Sequence, residues 1–315
     1  MKALAWIEPV DLQGALGAAA EAGTLVKAGG VDVGDRLKEH LDEPQALVNI
    51  RNLRELDFVR ADGDALSFGP LVTLARLAAD DRVPRALAEA ALHAATPQIR
   101  AMATLGGNLA QRPRCWYFRS EHFHCRRKGG ETCFAQDGEN EEHAVFDNQI
   151  CAIVHPSATA TALIALGATV KLKSLKAERS VPIEQFFISP DTDVMRENVL
   201  AHGELIVEVR IPVSKVPSAY IKLMEKQSFD WPLAEAAVRL GSQPRIVLGA
   251  AAPVPLRALK AEQAIAGHAR IDEALAGQAA KLAVQDATPL SKNGHKVTLL
   301  EVAVRRALLA AGGAA

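Results

Sequence analysis

Apolar positions recur along this chain with two periods, and the switches between them outline its elements. Residues 2–8 alternate and predict a strand. Asp11 then stands as an N-cap before a helical pattern over 12–22, stopped by Gly23. A second strand is predicted from residue 24 and ends at the pair Gly29 and Gly30; a helical stretch over 33–40 and a strand over 46–50 follow. The first 50 residues thus read as a β-α-β-α-β unit with a glycine turn after its second strand. Two apolar runs flank Asp62, Gly63 and Asp64, which signals a hairpin. Thr73 caps a helix over 74–79, and Pro84 opens another that runs to 95. After a long irregular stretch come a helix over 159–166, a strand over 168–172, a short element over 183–187 and an alternating strand over 204–212. Residues 214–218 (Ser-Lys-Val-Pro-Ser) read as a linker. Beyond it, strands over 220–224, 233–240 and 245–251 precede helices over 258–266, 271–284 and 299–311. That is a small α+β domain of about 100 residues, near the commonest domain size.

Composition sharpens this picture only slightly. A chain of 315 residues has room for more than one core. Its 49% hydrophobic content and formal net charge of −1 suit a folded protein and point neither to a nucleic-acid partner nor to a disordered tail. Aromatic residues make up only 4%, so the cores are expected to be built from Ala, Leu and Val. The N-terminus has no apolar run of signal-peptide length, and no window reaches the roughly 18 apolar residues of a membrane span. The expectation is a cytoplasmic protein without a membrane span, or a periplasmic one if it is exported with a signal-bearing partner subunit.

Two glycine turns bring in chemistry. In Lys27-Ala28-Gly29-Gly30-Val31-Asp32, the missing Cβ atoms let backbone N–H groups approach a pyrophosphate, and the following helix adds its N-terminal dipole. The pattern is not G-x-G-x-x-G, so a Rossmann fingerprint is absent. In Thr104-Leu105-Gly106-Gly107-Asn108, a hydroxyl and an amide flank a second such turn. Either alone reads as a plain turn. The two together put a dinucleotide site on a level with that plain reading.

All four cysteines, Cys115, Cys125, Cys133 and Cys151, fall within one irregular stretch. Three readings compete. Two disulfides need an oxidising compartment. Structural zinc favours close Cys-x2-4-Cys pairs, which these spacings lack. A four-thiolate [4Fe–4S] cluster tolerates irregular spacing. The stretch also holds His122, His124 and His143, with His155 just after it. Arg112, Arg114, Arg119, Arg126, Arg127 and Lys128 form a basic run that would offset the charge of a thiolate-bound cluster or else face solvent.

Taken in order, both glycine turns, Pro156-Ser157-Ala158-Thr159, the 203–212 strand, Tyr220-Ile221-Lys222 and Leu248-Gly249-Ala250-Ala251-Ala252-Pro253 resemble the FAD-binding medium subunit of the xanthine dehydrogenase family of molybdenum hydroxylases. The likeness spans nearly the whole chain. It implies an α+β fold: a PCMH-type, vanillyl-alcohol-oxidase-like FAD domain in two subdomains over 1–213, carrying a [4Fe–4S] loop at 112–155, then the family's C-terminal α+β domain over 217–315. The cysteine stretch is similar to the branch whose FAD subunit holds an extra [4Fe–4S] cluster, of the periplasmic aldehyde oxidoreductase type. The 4-hydroxybenzoyl-CoA reductase type is the neighbouring alternative, and a free-standing flavin oxidase of the same fold is a further one.

By position, the resemblance assigns Val26, Lys27, Ala28, Gly29, Gly30, Val31, Asp32 and Val33 to the FAD pyrophosphate. Thr104, Gly107 and Asn108 fall to a second FAD contact and His155 and Ser157 to a third, with Ile206 and Lys222 near the flavin. Cys115, Cys125, Cys133 and Cys151 become the cluster ligands. The family's usual Asp after Pro-Ser is Ala158 here, which removes one expected contact to the adenosine part of FAD, and Val31 replaces a common Thr. The implied partners are a large molybdenum-cofactor subunit, a small [2Fe–2S] subunit and an external electron acceptor. No residue stands out as an acid–base catalyst, and the substrate is not written in this chain.

Overall fold

A computed structural model describes residues 3–213, 216–226 and 229–313. Lys2 of the first expected strand, and Ser214 and Lys215 of the expected linker, lie outside the described residues. Three sheets organise the chain. Strands β1 (Ala5–Ile7), β2 (Thr24–Lys27) and β3 (Ala46–Asn49) form a parallel sheet in the order β1-β3-β2. The helices Leu12–Ala20 and Val31–Lys38 make its crossovers. Asp11 does cap the first, its carboxylate accepting from Gly14 N at 2.7 Å. The second helix starts at Val31, two residues earlier than the apolar pattern suggests, because Gly30 takes a left-handed φ of +81° and turns the chain there.

The second sheet is antiparallel and five-stranded, in the order β4-β5-β8-β6-β7. Its strands are β4 (Val59–Asp62), β5 (Ala65–Phe68), β6 (Thr169–Lys173), β7 (Glu178–Pro182) and β8 (Leu205–Pro212). The hairpin at Gly63 forms as expected; β7 was not expected, since Glu178-Arg179-Ser180 gives no apolar alternation and its residues are largely exposed. Helices Leu74–Ala79, Arg85–Leu92 and Ala158–Leu166 pack on this sheet in one large core.

The third sheet is antiparallel, β12-β11-β10-β9: β9 (Ser218–Met224), β10 (Pro232–Arg239), β11 (Arg245–Gly249) and β12 (Leu256–Arg257). Helices Leu259–Ile265, Glu273–Val284 and His295–Ala311 cover it and close an alanine-rich core. Helix Ala158–Leu166 is the hinge of the architecture. All nine of its residues are buried, because it touches the second core on one side and β10 and β11 on the other. Ser157 caps its start and Gly167, at φ +75°, ends it.

The cysteine stretch is a folded appendage with a small aromatic core of its own: Tyr117, Phe123 and Phe134 around Ala135 and Ala152. Its far end is stitched to the C-terminal domain. Val145 and Phe146 enter that domain's core, and Lys296 Nζ donates to Glu142 O at 2.7 Å. Asn293 Nδ2 donates to the carbonyls of His143 and Ala144. Among the described residues, no helix is long and apolar enough to cross a membrane.

Candidate functional site

A cavity of about 850 Å³ runs between the first two sheets and ends against the C-terminal domain, a size that suits a cofactor. Both glycine turns line it, and each is pressed against a distant segment of the chain. An added Cβ on Gly29 would stand 2.1 Å from Met102 O, and one on Gly106 would stand 2.7 Å from Pro70 Cβ. Glycine is therefore required by close approach at both. The helix Val31–Lys38 points its N-terminus at the cavity, and Gly30 offers no side chain to cap it. Its first N–H groups are free for an anionic ligand. In the second turn Thr104 Oγ1 accepts from Gly107 N at 3.2 Å, which fixes the turn's shape.

Of the expected FAD contacts, Val26, Ala28, Gly29, Gly30, Val31, Asp32 and Val33 line this cavity, as do Thr104, Gly107, Asn108, Ile206 and Lys222. Lys27 is turned away, donating to Asn49 Oδ1 at 3.0 Å and lying over the Trp6 ring. His155 and Ser157 sit behind the wall, while their neighbours Pro156 and Ala158 face in. The His155 ring packs edge-on to Phe187, and burial, then Arg127, pushes its pKa down to about 3. Ser157 Oγ donates to Asn108 Oδ1 at 2.7 Å, and Thr159 Oγ1 donates to the same oxygen at 2.6 Å. Asn108 thus ties the second turn to the hinge helix. Asp32 also departs from a simple ligand role. Its carboxylate is taken by the guanidiniums of Arg114 and Arg119 and by Arg112 N at 3.1 Å. Burial would raise its pKa, but Arg114 and Arg119 hold it below the usual carboxylate range.

The far end of the cavity holds a group that sequence reasoning missed. Glu235 is buried in β10, lines the cavity and accepts from Tyr220 Oη at 2.6 Å. Burial pushes its pKa up. The signal was a single carboxylate in the apolar run Pro-Leu-Ala-Glu-Ala-Ala-Val. Lys222 Nζ spans the same region, donating to His93 O at 2.8 Å and Asp230 O at 2.6 Å. Phe229 and Trp231, each about half exposed, form an aromatic rim there.

The four cysteines are all free, so the disulfide reading falls. All four line one narrow void of about 10 Å³, together with His143, Arg126 and Arg127. Among the described residues, no three His, Cys, Asp or Glu side chains are grouped as a metal centre. Both facts hold together because the thiols surround the void without being drawn onto a common point. Their chemistry is uneven. Burial pushes Cys115 up to about 12, whereas a hydrogen bond from Cys151 holds Cys133 down at about 6. Cys151 is raised by that same bond and by burial. His143 Nε2 lies 3.2 Å from Cys115 Sγ, and burial lowers its pKa to about 4, leaving a neutral ring. Two buried polar atoms beside the void, His143 Nδ1 and Arg127 Nε, have no hydrogen-bond partner. The basic run is not a solvated face: Arg112, Arg119 and Arg127 are largely buried and ion-paired.

Comparison with known proteins was made against this geometry. Residues 2–214 match the FAD binding domain in molybdopterin dehydrogenase, and residues 219–311 match the CO dehydrogenase flavoprotein C-terminal domain. The chain is 32% identical over 254 residues to the aldehyde oxidoreductase FAD-binding subunit PaoB of Escherichia coli K12, covering 78% of this chain and 80% of that one. It is 28% identical to the carbon monoxide dehydrogenase medium chain of Hydrogenophaga pseudoflava, over 96% of this chain and 93% of that one. Among solved structures, it is similar to quinoline 2-oxidoreductase from Pseudomonas putida 86, with a TM-score of 0.76 and 26% identity over 100% of this chain and 99% of that one.

Proposed function

The chain belongs to the family of FAD-binding medium subunits of molybdenum hydroxylases, and on that premise we propose that it relays electrons within an aldehyde-oxidising complex. In this reading, a large molybdenum-cofactor subunit oxidises the substrate, a small [2Fe–2S] subunit hands the electrons on, and this chain passes them to an external acceptor. Residues 1–213 hold the cofactors and residues 217–315 cap them. Bound FAD supplies the junction between one-electron and two-electron steps.

The chain's own residues bind and orient. The N–H groups at the start of Val31–Lys38 and the close-packed turn at Gly29 receive the pyrophosphate. Thr104, Gly107 and Asn108 hold the second side, and Asn108 is itself fixed by Ser157 and Thr159. Ile206 and Lys222 bound the flavin end, where the Tyr220–Glu235 pair keeps a carboxyl group in the wall out of bulk water. No residue needs to make or break a substrate bond here; the task of the protein is placement and tuning.

We further propose that Cys115, Cys125, Cys133 and Cys151 hold a [4Fe–4S] cluster. The supporting observation is their convergence on one void although they are spread through the whole stretch. The donor set fits: four free thiols are what such a cluster requires. Arg127 and His143 also line the void, and each keeps one buried nitrogen without a hydrogen-bond partner, Nε and Nδ1. The likeness to the aldehyde oxidoreductase subunit favours that substrate class over the CoA-reductase alternative.

The test is cofactor content. The purified chain should carry flavin and, on the order of, four irons, while Cys125→Ser should keep flavin and lose most of the iron. Flavin with no iron in the wild type, or zinc in its place, removes the cluster; absence of both cofactors removes the relay.

A further inference from the structure

Four arginines of the cysteine stretch, Arg112, Arg114, Arg119 and Arg127, converge on two acidic residues: Asp32, which lines the FAD cavity, and Glu197, the neighbour of the lining residue Asn198. On one side, Asp32 belongs to the first glycine turn. It receives Arg114, Arg119 Nη2 at 2.7 Å and Arg112 N at 3.1 Å. Arg119 Nη1 also reaches Glu39 at the far end of the same helix, 2.8 Å away. On the other side, Glu197 Oε1 is shared by Arg112 Nε at 2.9 Å and Arg127 Nη1 at 2.8 Å. Glu197 precedes Asn198, which lines the cavity. These arginines bracket the cysteines closely. Arg114 precedes Cys115 and Arg127 follows Cys125 by two positions. Arg127 is only 2% exposed and lines the cysteine void itself. Arg114 and Arg119 line the FAD cavity.

We propose that Asp32 and Glu197 are positioning residues through which the cysteine stretch sets the shape of the FAD site, so that cluster retention and FAD affinity rise and fall together. Without these ion pairs the first glycine turn loses its tie to the cysteine stretch and can shift beside the pyrophosphate position. With them, the carboxylate is neutralised and the turn is locked to a second structural unit. That unit carries the four thiols around one void, so a change at the void is passed to the turn. Coupling of this kind is reciprocal: whatever the filled cysteine pocket adds to FAD affinity, bound FAD adds to the retention of the pocket's contents. The inference rests on the cluster assignment above for its second half only; the ion pairs act on FAD whether or not iron is present.

The experiment measures FAD binding to the full-length, deflavinated chain by quenching of flavin fluorescence, and iron release to a chelator with and without FAD. Asp32→Asn and Glu197→Gln are each expected to raise the FAD Kd on the order of tenfold, within the range usual for coupled sites. In the wild type, saturating FAD should slow iron release by a similar factor, and in Asp32→Asn that protection should be lost. The iron arm separates coupling from a merely structural role. If Asp32→Asn does not fold, as judged by its melting curve, Glu197→Gln carries the same test from the other group of ion pairs. Unchanged FAD affinity in folded variants, or iron release indifferent to FAD, overturns the proposal. A wild type that holds no iron at all overturns the cluster assignment instead, and the FAD measurements on the two variants then still decide the role of the ion pairs.

Discussion

Replacing Gly29 with alanine is the most demanding test of the cavity's construction. An alanine Cβ at this position would lie 2.1 Å from Met102 O and 3.0 Å from Met102 C. Both are backbone atoms, so no side chain can swing aside. Real Cβ contacts lie beyond 3.0 Å, and the first glycine turn must therefore move off the Met102 backbone by roughly an ångström. Positioned groups are sensitive on that scale, a misplacement of about 1 Å costing about 10²-fold. The FAD Kd of Gly29→Ala should rise about a hundredfold, equivalent to about 2.7 kcal/mol. Gly34→Ala is the matched control. It lies five positions on in the same helix region, and its Cβ would meet nothing within 4 Å. It should leave FAD affinity unchanged and gain about 0.5–1 kcal/mol of stability from the lower flexibility of the unfolded chain. Flavin fluorescence titration and thermal melts with and without FAD read both effects. If Gly29→Ala binds FAD within about twofold of wild type, the close packing of Gly29 on Met102 does not shape the site.

Three further outcomes follow from the geometry. Asn108→Ala removes the acceptor shared by Ser157 and Thr159 and should cost about 1–3 kcal/mol in urea unfolding, because two buried hydroxyls lose their partner; a neutral substitution would refute it. Lys296 is buried, and burial lowers its pKa to about 7. A Lys depressed in the folded state makes the unfolded chain bind more protons between that value and the ordinary lysine value of 10.5, so stability should climb as pH rises through that window. Lys296→Met should flatten the climb in melting temperature; equal slopes in the two proteins would count against a depressed amine. Ala158→Asp puts a carboxylate at the start of the hinge helix facing the cavity, where the helix N-terminus favours negative charge. It should lower the FAD Kd several-fold, and a higher Kd would show that the acidic contact has no place in this chain.

Much of this was legible in the sequence, and the failures have physical causes. Thr24–Lys27, Leu74–Ala79 and the C-terminal strands were readable because their apolar periods are strong and their caps are local. The strand Glu178–Pro182 was invisible, since an exposed edge has no reason to alternate. The glycine turns announced themselves, but not that Gly29 presses on Met102, which is a contact between distant segments. Asp32 shows the same limit at the site: its position in the turn and its neighbour Arg36 were visible, while its three other partners lie 80 to 87 residues later in the chain. The arginines were readable as charge but not as ion pairs. Glu235 could have been flagged as a lone carboxylate in an apolar strand, yet its partner Tyr220 follows only from the pairing of β9 with β10.

The stitching of the cysteine stretch to the last helix bears on how the molecule is made. Glu142 waits for Lys296, which is synthesised 154 residues later, and His143 waits 150 residues for Asn293. The N-terminal sheets can form while the chain is still being translated, but the cysteine stretch gains its last supports only when the final helix arrives. The packing of that stretch is thus completed only at the end of synthesis, and the C-terminal helix is what completes it.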